Sequence, residues 1–131
     1  MAFMIHSTDD HRVPHLEYHS CGAIQPKIGL ALVMTGGNLA IATGTAKPTY
    51  LSHREDAAAR AAGDIIPVTR VQPDTVYETT FAVAAADVKV GNKVTIHTDG
   101  MQVTATTTNG VAEIVAMEGT AAGDKCWVRF V

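Results

Sequence analysis

Aromatic residues are scarce in this chain: they make up 5% of its 131 residues, as one Trp, three Tyr and three Phe. A module for surface glycans needs exposed aromatic rings, and that supply is thin here. Cysteine is nearly as rare. Cys21 and Cys126 stand far apart with no motif spacing, so they read as buried free thiols of a reducing cytoplasm rather than as a bridge. Basic residues are few and scattered: ten Lys and Arg against thirteen Asp and Glu leave a net charge of −3, which argues against a nucleic-acid partner. No apolar run approaches the ~20 residues of a membrane span. Met1 to His6 has neither the basic segment nor the apolar length of a signal peptide, so synthesis in the cytoplasm and no membrane partner are expected.

What the chain has is β-branched and small residues. Hydrophobic residues reach 47%, mostly Ala and Val, with Thr heavily used beside them; branching at Cβ suits a pleated surface. The length fits one domain that can fold without disulfide or metal. Turn signals divide it. Ile28–Thr35, Gly36-Gly37-Asn38 and Leu39–Thr43 predict a hairpin whose limbs are almost wholly apolar. Such limbs imply burial on both faces, as in a barrel wall against a partner or a sheet inside an oligomer. Pro48–Leu51, Ile65–Val71 and Val76–Val83 read as further strands, with Pro67 suiting an edge or a strand start. Asp99-Gly100 and Asn109-Gly110 between β-rich runs predict a meander from Val94 to Met117, and Cys126–Val131 reads as a last strand. Gly63, Gly91 and Gly123 each punctuate the approach to a strand, the grammar of a small barrel.

Two segments stand apart. Ser52-His53-Arg54-Glu55 matches a capping box before an Ala-rich run closed by Gly63, so a short helical excursion is expected near residues 53–62. Residues 1–20 hold four of the six histidines, His6, His11, His15 and His19, together with Asp9, Asp10 and Pro14 and no sustained period. They read as an N-terminal arm, dispensable for folding, ahead of a single β domain at 21–131. The expected fold is therefore mainly β: a small barrel or sandwich of short antiparallel strands with hairpins, one helical excursion and an arm.

Chemistry is thin. His11, His15 and His19 lie four apart, ligand spacing on a helix, but Pro14 argues against that helix, and no metal or cofactor is expected. Cys21 beside His19 invites a thiol nucleophile, yet no oxyanion device or orienting third group accompanies it. Asp99 and Asp124 are turn formers, Gly36-Gly37 and Gly44 lack the sequel of a phosphate loop, and Trp127 and Phe130 read as core. No catalytic residue is assigned. Partner binding is assigned to His6, His11, His15 and His19 of the arm.

Three stretches carry a resemblance: Gly37 to Tyr50 (GNLAIATGTAKPTY), Gly63 to Val71 (GDIIPVTRV) and Val90 to Gly100 (VGNKVTIHTDG). Together they resemble the small head decoration proteins of tailed phages and prophages, over roughly residues 20 to 131. The resemblance implies a compact β domain without enzymatic activity on the outer face of an assembled capsid, often as a trimer. It implies the major capsid protein and further copies of the chain as partners, and the virion as location. The His-rich first twenty residues depart from that pattern. Two rival readings are a β-type binding module for a glycan or other surface ligand, and a small enzyme using Cys21 or the His-rich segment.

Overall fold

The computed structural model describes residues 2–8 and 15–131. Ten strands form: β1 (Met4–Thr8), β2 (Leu16–Ser20), β3 (Ala31–Thr35), β4 (Asn38–Ile41), β5 (Tyr50–Ser52), β6 (Ile65–Arg70), β7 (Thr75–Thr80), β8 (Lys93–Val94), β9 (Ala112–Met117) and β10 (Lys125–Phe130). They make two antiparallel five-stranded sheets, ordered β1-β7-β10-β9-β8 and β2-β6-β5-β3-β4. The fold is mainly β, a sandwich, and among the described residues no helix forms, so none is long and apolar enough to cross a membrane.

The β3–β4 hairpin closes as its sequence predicts. Thr35 faces Asn38 across Gly36 and Gly37, at φ 57° and 85°. Two successive positive φ values define the tight turn that matches strand twist, and glycine adopts them without Cβ strain. The apolar limbs are covered only in part, and by the chain itself: Leu30, Ala31, Leu32, Leu39 and Ala42 are buried, while Ile28, Met34 and Ile41 stay exposed. Ala31 and Leu51 join Tyr77, Ile114, Val128 and Phe130 in the core between the sheets. Their sequence neighbours Leu32 and Tyr50 point the other way, into a second core with Cys21, Leu39, Ile66 and Val68, against which Ile24 and Met101 pack. This sheet curls until Cys21, just past β2, bridges Leu39 of β4. Burial of Ala31 and Leu32 on opposite faces of β3 therefore requires no second copy.

The expected arm is built into the sandwich. Met4–Thr8 pairs with β7 in one sheet, and Leu16–Ser20 pairs with β6 in the other. Phe3 is 2% exposed, meets Phe130 edge-on at 5.1 Å, and donates its N–H to the Gly29 carbonyl at 3.1 Å. The described part of the segment thus adds a ring to the core and a strand to each sheet.

The helical excursion does not form. Glu55 Oε1 accepts the Ile28 N–H at 3.2 Å, leaving the reciprocal half of a capping box unmade. The N–H groups of Asp56 and Arg60 donate to the carbonyls of Pro26 and Ile24 instead of to a helical turn. Tertiary hydrogen bonds to residues 24–26 outcompete a helix too short to sustain itself. The meander is also only partial. Asp99-Gly100 does turn the chain so that Ile96 bridges Val103, but β9 pairs with β8 and β10, not with the run from Met101. Pro67 lies in an interior strand, at the point where pairing with β5 ends. His53 donates its N–H to the Pro67 carbonyl at 2.9 Å, and Pro67 has no N–H to return.

Phe3→Ala removes one ring of the core aromatic contact and should lower unfolding stability by about 3 kcal/mol or more, as for other buried Phe truncations. Urea denaturation followed by circular dichroism measures this. A loss under about 1 kcal/mol, the scale of an unremarkable substitution, would restore the reading of a detachable arm.

Candidate functional site

The four histidines assigned to partner binding do not converge. His11 lies outside the described residues, and His15 is exposed just ahead of β2. His6 sits in β1 of one sheet and His19 in β2 of the other. Among the described residues no three His, Cys, Asp or Glu side chains gather as metal ligands would.

His19 belongs to a polar cluster that sequence reading did not find. Period-two alternation in Leu16-Glu17-Tyr18-His19-Ser20 puts Glu17 and His19 on one face, opposite Val68 and Ile66 of β6. Arg70 continues that face and grips Glu17 with two hydrogen bonds, Nε to Oε2 at 3.0 Å and Nη2 to Oε1 at 3.1 Å. Its Nη2 also donates to the Tyr50 hydroxyl at 3.0 Å. The His19 ring packs against Tyr50 at 4.8 Å, and its Nε2 lies 3.1 Å from Glu17. Hydrogen bonds from Arg70 first, and from His19 next, hold the Glu17 carboxyl below the usual range. The alternation itself is the signal in the sequence, masked by Pro14 and by the density of histidines around it. The cluster is half-exposed and internally satisfied, so it latches β2 onto the sheet.

The opposite face of β2 is apolar and open. Leu16 is 45% exposed and Tyr18 64%, and they stand opposite Thr69 and Pro67, with Ile65 (62%) next along β6. Leu16 also lines a groove of about 400 Å³ with Met4, Ile5, Ile28, Leu51 and His53, running between the edge strands of the two sheets. Exposed apolar surface of this continuity marks contact sites.

The thiols are placed as structural residues. Cys21 and Cys126 are fully buried in different cores and unpaired with each other. Burial pushes the Cys126 thiol up to about 12 and raises that of Cys21, opposite to what a nucleophile needs. His19 turns toward Glu17 and Tyr50. Asp99 serves its turn: burial would raise its carboxyl, but hydrogen bonds from Gln102 and the Met101 N–H outweigh that and lower it.

Glu17→Gln tests the latch. A carboxyl lowered in the folded state stabilises the protein above its unfolded value, near 4.3, and the benefit fades as pH falls through the folded value. The variant should be less stable than the parent by about 0.5 to 1 kcal/mol at pH 7, the scale of a partly exposed ion pair. Thermal melts from pH 7 down to about 3, below the carboxylate range, should show the two curves converging. A gap that stays constant with pH would mean Glu17 acts by packing alone.

Compared with models of known protein families and with curated proteins, the chain matches none of either.

Proposed function

We propose that this protein is a structural component of a phage or prophage head. It binds the outer surface of the capsid through its major capsid protein, as a homotrimer, and stabilises the head without catalysing a reaction. The observation that carries this reading is the open apolar surface of Leu16, Tyr18, Ile28 and Ile65 beside the groove lined by Met4 and Ile5. Docked on a capsid, that surface adds apolar contacts across capsomer boundaries, each square ångström removed from water contributing roughly 25 cal/mol, so separating capsomers costs more. The three stretches that resemble head decoration proteins support the same class, two of them running through β4–β5 and β6 of the sheet that carries β2.

Attachment moves in this reading from the four histidines to the apolar face. The Leu16→Asp, Tyr18→Asp pair changes two exposed side chains, so a cooperative β fold should persist. Co-sedimentation with capsids of the phage or prophage that encodes the chain should fall by about tenfold or more, the scale of a lost interface anchor. Equal retention of variant and parent would remove this surface from the account.

Light scattering after size exclusion should give a mass near three protomers of 13.8 kDa. The measurement belongs at tens of micromolar (on the order of a weak association constant). A strict monomer there would overturn the trimer.

A further inference from the structure

Two β-bulges flank Trp127, one on each side of it. In β1, Ile5 faces Tyr77 and Ser7 faces Val76, so His6 is the extra residue. In β9, Trp127 faces Ala116 and Val128 faces Ile114, so Val115 is the extra residue. An unbroken strand sends consecutive side chains to opposite faces. Here His6 with Ser7, and Val115 with Ala116, line one cleft of about 460 Å³ on the outer face of this sheet. Bulges re-aim side chains and concentrate beside functional sites. Two of them converging on the chain's one Trp place that ring in a depression instead of on a flat sheet.

The cleft has a defined polarity. Trp127 Nε1–H donates to His6 Nδ1 at 3.0 Å, and the rings meet edge-on with centroids 5.5 Å apart. An indole nitrogen only donates, so Nδ1 is the acceptor and the neutral imidazole carries its proton on Nε2. His6 therefore presents an N–H donor on the ring edge away from Trp127, and the exposed Ser7 adds a hydroxyl that both donates and accepts. Val76, Val115 and Ala116 supply apolar contact, and Arg129 is the one charged side chain of the lining.

We propose that this cleft binds a neutral hexopyranose unit of a carbohydrate. A pyranose has C–H faces that stack on an indole and a rim of hydroxyls that pair with an imidazole N–H and a serine hydroxyl. One charged side chain is too few for a polyanion, whose binding grooves gather many. An open cleft with a hydrogen-bonding rim suits an amphipathic ring better than a purely apolar ligand, which favours enclosure. The cleft shares β1 with the groove lined by Met4 and Ile5, but Leu16 and Tyr18 lie in the other sheet, so the Leu16→Asp, Tyr18→Asp pair tests capsid attachment without touching the cleft.

Because Trp127 is the only tryptophan, its emission reports the cleft directly. The full chain is titrated with maltohexaose, cellohexaose and mannohexaose. At least one should give a saturable emission change with a dissociation constant on the order of 1 mM or tighter, about 4 kcal/mol of binding. His6→Ala and Ser7→Ala should each weaken that binding about three- to tenfold, the range for loss of one hydrogen bond. Trp127→Phe, followed by calorimetry, should weaken it about tenfold. Val83→Ala, on a surface outside the cleft, should leave it unchanged. His6 lies on an exposed edge strand, so its variant keeps the test decisive should Trp127→Phe fail to fold. No saturable change with any of the three sugars up to about 20 mM, a ceiling well above a usable site, overturns the proposal. So does binding that His6→Ala leaves intact.

Discussion

Phe130 is where the two ends of the chain are held together. Its ring, fully buried, meets Phe3 at 5.1 Å and Tyr77 at 5.4 Å, so three of the seven aromatic rings in the sequence share one contact. In a core whose other members are mostly Val, Ala and Ile, with Phe81 the one further ring, these side chains supply much of the area that fixes how strands pack. The contact also orders what lies next to it. With Phe3 seated, its N–H reaches the Gly29 carbonyl, and the backbones approach so closely that a Cβ on Gly29 would strike the Phe3 carbonyl and Ala2. Gly29, at φ 80°, is a position that side chains rarely adopt in any case. Ile28, Met4 and Ile5, which line the open groove, are placed by this approach of two backbones.

The second sheet answers the question raised by its own apolar text. Ala31-Leu32 and Tyr50-Leu51 each send one side chain to the large core and the next to the small one. A sheet covered on both faces reads as a continuous apolar run, which is also the signature of a sheet covered by another copy. Sequence periodicity cannot tell these apart, because it registers burial and not the identity of the covering atoms. Here the cover comes from Ile24, in the connection between β2 and β3, and from Met101, distant in sequence from the strands it packs against.

Legibility followed locality. Gly36-Gly37 and the strand at Ile65–Arg70 depend on residues within a few positions of each other, and both were readable. The capping box at Ser52 and the hairpin expected across Asn109-Gly110 were equally local signals, yet tertiary partners overrode them: residues 24–26 take the N–H groups, and β8 with β10 takes β9. The strands of the N-terminal segment are hard to read in the sequence for a different reason. Its apolar residues, Phe3, Met4, Ile5 and Leu16, are separated by polar text, and their value comes from a ring and a groove more than a hundred residues away or in the opposite sheet. The candidate surfaces suffered most, since Arg70 meets Glu17 and His6 meets Trp127 across separations of 53 and 121 residues.

The four sheet edges explain why the two proposed surfaces fall where they do. An edge strand offers unpaired backbone groups and must be blunted or used. β8 is two residues long, and β4 is met by Cys21 and by the Gly22 N–H, which donates to the Leu39 carbonyl at 2.9 Å. β1 is broken by the bulge at His6, and the same device that spoils its edge turns His6 and Ser7 onto the outer face beside Trp127. β2 is different: its register with β6 runs unbroken from Leu16 to Ser20, and its one acidic side chain is neutralised by Arg70. Its far end meets β4, where Ser20 donates to the Gly37 carbonyl, so the half of β2 with its charge answered and Leu16 and Tyr18 exposed is the edge this fold leaves usable. In the two proposals the bulged edge carries the small-ligand cleft and the regular edge the docking face, and they approach each other only at the groove, where Met4 and Ile5 of β1 stand beside Leu16 of β2.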